Sequence, residues 1–500
     1  MTVRSTLVPR TWANSGLDLH LEPAGTRIRA GLETALRDAV REGRLAPGTR
    51  LPASRTLAGD LGIARNTVTE AYSQLVAEGW LLPRPGSGTY VAELIPVSRA
   101  PAATAAAAPH SGQGAIAGRP PRYDLTPGRS DLAAFPRSAW LAAARRALAT
   151  APAHALGYTD PRGLPELRTV IAEYLARARG VRADPGRVVI CAGFTQGWGL
   201  ICGVLHNRGV RSIAMETHGV ADHRRIAESH RLQIRDLPVD RDGAVIEPHD
   251  ARAILLTPAH QFPLGMALAP PRRAHAIAWA KEHSGFVIED DYDGEFRYDR
   301  RPVGALQALA PEHVVYAGTA SKSLAPGLRL GWLVLPAELV DSVAEAQALA
   351  LGGVSAIDQL TLAQLIASGG YDRHIRRARQ TQRRRRDQLL GTVARHSKHI
   401  RISGIAAGLH ALVTLPTGVS EAAVIEAAAK RGLALDGLAR FTTGKPPQPG
   451  ALVIGYGTPP QHSYTAALAR LDATLTETIR PGAPPTQGQP RRRASAASRS

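Results

Sequence analysis

Gly318-Thr-Ala-Ser-Lys-Ser-Leu-Ala-Pro-Gly-Leu-Arg-Leu-Gly331 is the stretch whose reading decides the fold. Lys322 stands among small residues, and Arg329 follows seven positions later. A lysine amine condenses with an aldehyde, and a guanidinium grips a phosphate with a planar fork, so the pair suits a phosphorylated aldehyde held as a Schiff base. Thr319 adds a hydroxyl at a spacing that suits the same phosphate. Alone, a Ser-Lys pair is ordinarily solvated surface, so the reading depends on what surrounds it.

Working outward, the apolar run Phe286–Ile288 leads through Glu289 to Asp290-Asp291-Tyr292. A carboxylate at a strand's C-terminal end lies where α/β sheets bind ligands. Opposite a pyridinium nitrogen, an aspartate makes a charge-assisted hydrogen bond that keeps the ring protonated and electron-withdrawing. Tyr292 is then a donor to the ring oxygen. Gly193-Phe-Thr-Gln-Gly197 reads as a strand-to-helix turn whose backbone N–H groups suit a phosphate, with Thr195 and Gln196 as candidate contacts. Short β-rich runs (Val188–Cys191, Ile254–Thr257, Phe286–Glu289, Val314–Tyr316) alternate with Ala/Leu/Arg helical patterns between Tyr123 and about Arg480. That alternation predicts an α/β domain with a mostly parallel sheet.

The chain begins quite differently. Ile28, Leu32, Leu36 and Val40 recur at helical spacing and predict a helix with one buried face. Pro47-Gly48 forces a turn, Ser54 is a candidate cap for a helix over Arg55–Leu61, and Gly62 ends it. A third helix opens at Ala64-Arg-Asn-Thr67 and closes at Glu78-Gly79, before two short strands around the tip Pro83–Gly88. Helix, helix–turn–helix and hairpin together make a winged helix. Arg65, Asn66 and Thr67 begin the polar face of the third helix, where base edges are read: arginine binds guanine bidentately and asparagine binds adenine. Arg55, Arg84 and Gly86 suit phosphate and groove contacts.

The chain has 500 residues and a formal net charge of +19, which suggests an anionic partner. Residues 1–95, however, hold eleven arginines against nine acids, so the pattern and not the charge carries the DNA-binding reading. Arg376, Arg377, Arg379 and Arg383–Arg386 crowd one short stretch, whose expected role is a solvated or interface face. Cys191 and Cys202, the only cysteines, read as packed hydrophobes; no metal-ligand spacing appears, and no metal is expected. No apolar run is long enough to span a membrane and no signal pattern opens the chain, so the expected location is cytoplasmic, without membrane contact. Expected boundaries are a winged helix at 1–92, an Ala/Pro-rich linker at 93–121, the α/β domain at 122–480 and a disordered basic tail at 481–500.

Gly48-Thr-Arg-Leu-Pro-Ala-Ser-Arg55, Leu57–Gly62, Arg65-Asn-Thr-Val68, Ala71–Leu75 and Glu78-Gly-Trp80 resemble the GntR-type winged helix. Leu156–Gly163, Leu167-Arg168, Thr257–Gly265, Ile288–Phe296, Gly318–Gly331, His374–Arg379 and Ile454–Tyr456 resemble fold-type I aminotransferases dependent on pyridoxal 5'-phosphate (PLP). The whole chain resembles the MocR subfamily of GntR regulators. The fold class implied is an N-terminal winged helix-turn-helix (α+β) plus an α/β PLP-dependent transferase of fold type I, with a large and a small subdomain. The resemblance implies that Lys322 forms the internal aldimine, Asp290 faces the pyridine nitrogen and Tyr292 approaches the ring oxygen. It puts Arg329 and Thr319 on the phosphate and His260 near the ring. It further implies a homodimer, a double-stranded DNA operator, and PLP or a small amine or amino acid as effector.

The sequence departs from that family at three places. Val220 falls where an aromatic ring usually stacks on the pyridine, with His218 as the alternative partner. Phe194 replaces a hydroxyl in the phosphate turn. No arginine appears around Pro449–Gly455, where the family holds a substrate carboxylate; Arg440 is the nearest upstream. A PLP-responsive regulator is therefore the main expectation. An active aminotransferase with an accessory DNA-binding domain, and a regulator that has lost the cofactor, are the alternatives.

Overall fold

The computed structural model describes residues 28–92, 121–247, 250–298, 303–445 and 448–479. The expected linker, but for residue 121, and the expected basic tail lie outside them. The chain divides into two compact units, Met1–His110 and Ser111–Ser500.

In the first unit, helices Ile28–Arg41, Ser54–Leu61 and Arg65–Ala77 precede an antiparallel hairpin, Leu81–Arg84 with Gly88–Val91. Leu32, Leu36, Ala39, Leu57, Val68, Ala71, Tyr72, Leu75, Leu81 and Val91 form its core. Two local expectations are corrected. Ile28 is exposed at the start of its helix, and at the other end Ala39 is buried whereas Val40 is only partly so. Ser54 is the first helical residue, not the cap; Ala53 precedes it with no side-chain cap. Gly62 ends that helix with φ 64°, a left-handed conformation that glycine adopts without Cβ strain. Arg37 reaches Glu78 through two 2.8 Å bonds, tying the first helix to the end of the third.

The second unit is built on a seven-stranded sheet in the order Val188–Cys191, Gly331–Val334, Val314–Thr319, Phe286–Asp290, Ala253–Leu256, Ser212–Glu216, Gln233–Leu237. Only Gly331–Val334 runs against its neighbours, so the sheet is mixed with a parallel majority. Inner strands are buried on both faces, as a sheet sandwiched between helices requires. Phe286 and Ile288 enter one core with Ile201, Met215 and Cys202, while Val287 enters another with Ile254, Trp279 and Leu306. Both cysteines are buried in the first of these. A smaller antiparallel sheet, ordered Arg401–Ser403, His410–Thr414, Ala451–Gly455, Asp436–Gly437, packs on helices Gly370–Ala394, Glu421–Lys430 and Tyr464–Thr478. Among the described residues, no helix is long and apolar enough to cross a membrane.

Arg385 corrects the expectation of a solvated arginine face. It is 1% exposed, donates to the carbonyls of Tyr456 and Gly457 and to Asp131, and lies over the Tyr464 ring. Arg379 donates to the Glu295 carbonyl while remaining exposed, as are Arg376, Arg377, Arg383 and Arg384.

A second buried arginine holds the functional end of the sheet. Arg179 grips Asp291 with bonds of 2.7 and 3.0 Å, and Tyr316 donates to the same carboxylate at 2.7 Å. Replacing only one member of such a pair leaves an uncompensated buried charge. Arg179→Met is expected to lose about 3–5 kcal/mol of stability, read from the urea midpoint of the full chain against wild type.

Candidate functional site

Glu289, Asp290 and Asp291 close the strand Phe286–Asp290, and all three are buried. Alternation sends Glu289 and Asp291 to one side of the sheet and Asp290 to the other. Glu289 accepts from the backbone N–H groups of Leu306 and Gln307, and Asp291 has Arg179. Among the described residues, Asp290 Oδ1 has no hydrogen-bond partner. Burial and the neighbouring Asp291 push the Asp290 carboxyl well above the usual carboxylate range, and the Lys322 ammonium opposes that rise. A buried acceptor left over in this way asks for a donor from outside the chain.

Lys322 follows the neighbouring strand Val314–Thr319, and its Nζ donates to the carbonyl of Gly128. Burial pulls its amine below the ordinary lysine value, against the pull of Asp290 and Asp293. Nearby, Gly193 takes φ 83° at the start of helix Phe194–Asn207, with no side-chain cap. The free N–H groups of that first turn make an anion site. A Cβ on Gly193 would lie 3.6 Å from the Arg329 guanidinium and 3.9 Å from Ser321 Oγ, so both side chains stand at this helix start. Thr319 Oγ1 donates to Ser321 Oγ at 2.9 Å and accepts from Ser321 N–H at 3.1 Å, fixing that turn. Thr195 is exposed in the first turn. Gln196 folds back, accepting from Ala192 N–H and donating to Gln347. Sequence reasoning passed over Ser321, although it lies inside the quoted run.

On the opposite side, Tyr292 meets His260, and both meet Asp293. His260 Nδ1 lies 2.8 Å from Asp293 Oδ2 and 3.1 Å from the Tyr292 hydroxyl. His410 packs beside His260 with ring centroids 4.9 Å apart. Phe262 stands edge-on to Tyr292, His410 and Phe441. Val220 precedes helix Ala221–Ser229 and supplies no ring. His218 lies against Thr217 Oγ1 and bridges Thr442. His223, which the sequence did not single out, faces Phe194 at 4.8 Å, and burial aided by the Lys322 charge lowers its pKa to about 4. Phe194 therefore packs beside His223 and Trp198.

Beyond Phe441 lies a buried apolar cluster. Val453 packs with Leu412, Leu438 and Ala451, against Leu264 and Phe441. Arg440 is bound to Asp436 at 2.9 Å. Two segments join across this side: Gly219 N–H donates to the Phe441 carbonyl, and Thr443 donates to the Thr217 carbonyl through both its backbone and its hydroxyl.

In the first unit, Arg55, Arg65 and Asn66 are exposed and Thr67 is half-buried. The Arg84 guanidinium lies 4.6 Å from the Tyr90 ring centre, and Gly86 sits at the hairpin tip with φ 73°. Arg50 crosses the hairpin at Gly88, where a Cβ would meet its Nε at 3.2 Å, and it adds an exposed cation that the sequence reading left out.

Residues 29–91 match the family "Bacterial regulatory proteins, gntR family", and residues 127–442 match "Aminotransferase class I and II". The chain is 33% identical over 457 residues to the HTH-type pyridoxine biosynthesis transcriptional regulator PdxR of Corynebacterium glutamicum, covering 90% of this chain and 96% of that protein. It is also 33% identical over 437 residues to the probable rhizopine catabolism regulatory protein MocR of Rhizobium meliloti, covering 84% and 88%. Among solved structures, a kynurenine aminotransferase of Pyrococcus horikoshii superposes with a TM-score of 0.64 at 22% identity, covering 71% of this chain and 91% of that one, a likeness of fold alone. The chain thus belongs to the MocR-type GntR regulators, in which a winged helix precedes an aminotransferase class I and II domain of fold type I.

Proposed function

We propose that the protein is a transcriptional regulator that binds a double-stranded DNA operator and senses PLP, or an amine or amino acid joined to it, at Lys322. The observation that carries the sensing is the unpartnered Asp290 Oδ1 beside the Lys322 amine. PLP, when bound, supplies an aldehyde that reacts reversibly with primary amines and a ring nitrogen that takes a proton. Lys322 would anchor it, and Asp290 would accept from the ring nitrogen. Tyr292 and His260 would stand at the ring oxygen. Arg329, Ser321 and the open helix start at Gly193, with Thr319 bracing Ser321 and Thr195 in the first turn, would hold the phosphate. Gln196 is kept in this set only as a brace of the turn, because its side chain is bound to Ala192 and Gln347.

Three further observations support a regulator over a turnover enzyme. The chain's relatives carry regulators' names, Val453 is enclosed in an apolar cluster, and Arg440 is already paired. With Arg440 engaged by Asp436, PLP itself or a simple amine is favoured as the effector. The effector then acts only through different affinity for two states of the protein. A homodimer is supported by exposed Leu141, Leu148, Leu156 and Ile357 on helices Arg137–Thr150 and Ala356–Ala367, which pack together, and the turn beside them. On DNA, Arg65 and Asn66 would read base edges, with Thr67 beside them. Arg55, Arg84 and the Gly86 tip would contact the backbone. A cytoplasmic location accords with that role.

Loaded with PLP, the full chain is expected to show a visible band that Lys322→Ala abolishes; a colourless wild type would sink the sensing role. The rate at which the band develops is expected to rise with pH as Lys322 loses its proton, levelling off below the ordinary lysine value. Asp290 raises that pKa, so Asp290→Asn should move the plateau to lower pH in stopped-flow mixing. Arg65→Ala is expected to weaken operator binding by ~1–3 kcal/mol, and unchanged affinity in fluorescence anisotropy would remove it from the recognition surface.

A further inference from the structure

Asp293 lies three residues past Asp290 and directly after Tyr292, and it is buried at a three-way junction. Its Oδ2 is 2.8 Å from His260 Nδ1, both side chains are 2% exposed, and the Tyr292 hydroxyl stands 3.1 Å from the same nitrogen. The carboxylate assigns the His260 proton to Nδ1. A phenol carries a single proton, and beside a protonated Nδ1 the neighbouring Asp293 carboxylate is the acceptor that draws it. A ring oxygen arriving at Tyr292 competes with Asp293 for that proton, and His260 stays behind to satisfy the carboxylate.

The small subdomain seats this junction. Gly408 has φ 73°, and a Cβ there would fall 2.1 Å from His260 Cε1 and 2.5 Å from Asp293 Oδ2, so only glycine lets the backbone lie against the pair. Gly408 is itself clamped: its N–H donates to the Phe296 carbonyl, and its carbonyl accepts from Tyr298 and Tyr456. His410 donates from Nε2 to the Pro263 carbonyl at 3.1 Å, which fixes its ring beside His260. Burial holds His410 neutral, so it adds shape and not charge. The charged and titratable groups around Tyr292 are Asp290 and Asp293 on its own segment, His260 from the loop Thr257–Gly265, Tyr456 and His410 from the small sheet, and Lys322 beyond the neighbouring strand.

Resting on the sensing role proposed above, we propose that Asp293 is a positioning residue for the bound cofactor. It sets the rotamer and proton of Tyr292 and the tautomer of His260, and thereby fixes how strongly the cofactor's ring oxygen is held. It touches the cofactor only through those two side chains.

The test is the pH midpoint at which the visible band of the PLP-loaded full chain gives way to its near-ultraviolet band. Asp293→Asn removes the competing carboxylate and its negative charge, and both changes disfavour the protonated, visible form. The midpoint is expected to fall by roughly one pH unit, the scale of a nearby charge. In a Tyr292→Phe background only the loss of charge remains, and the same substitution is expected to move it by a smaller amount, because the route through the phenol is gone. An unmoved midpoint, or an equal shift in both backgrounds, would overturn the assignment, the latter making Asp293 a remote charge. Asp293→Ser gives the same reading should the asparagine variant melt early. A loaded wild type that never colours overturns this inference together with the sensing role, whereas a coloured wild type with an indifferent Asp293 overturns this inference alone.

Discussion

The second unit depends on how three consecutive buried acids are disposed at one strand end. A buried carboxylate without compensation is among the costliest things a fold can contain. Glu289 is answered by two backbone N–H groups and Asp291 by Arg179 and Tyr316. Asp290, facing the other way, is left with an open acceptor and the Lys322 charge. The strand is therefore finished structurally on one side and chemically unfinished on the other. The same pleat produces both conditions, so the site could not be relieved of its lone acid by repacking without shifting the pair that secures the sheet.

Much of this was legible before any coordinates. An apolar run followed by acids marks a strand end, and Gly193 marks a strand-to-helix turn, because each signal is local and its physics is short-ranged. The winged helix was legible for the same reason: its turns and apolar spacing fall within a few residues of one another. The errors are equally instructive. Ile28 has helical spacing but lies in the first turn of its helix and is exposed, and Ala39 is buried where Val40 is only partly so. Arg385 looked like one cation among many, yet its carbonyl partners Tyr456 and Gly457 come from a distant part of the chain. Gln196 looked free to face a phosphate because Gln347, its partner, is equally remote. Asp293 sat in plain view beside Tyr292, but its meaning depends on His260 and Gly408, which no spacing rule connects to it.

Two of the three departures from the wider aminotransferase pattern, at Val220 and around Pro449–Gly455, lie away from the turn at Gly193, whereas Phe194 lies in it. Lys322 and that turn have supporting contacts, and Asp290 keeps an open acceptor. The cluster around Val453 is aliphatic and aromatic. The residues proposed to hold a cofactor and the positions where the family holds a substrate thus rest on different strands and loops.

The join between Thr217–Gly219 and Phe441–Thr443 ties the two sheets of the second unit to each other. Its hydrogen bonds link a loop of the large sheet to a loop of the small one, and Phe441 adds an aromatic contact with Phe262 just behind. Because these contacts span the same two loops, turning one sheet away from the other on this side would cost all of them together, so the small sheet is held in register with the residues around Tyr292 by backbone as well as by side chains.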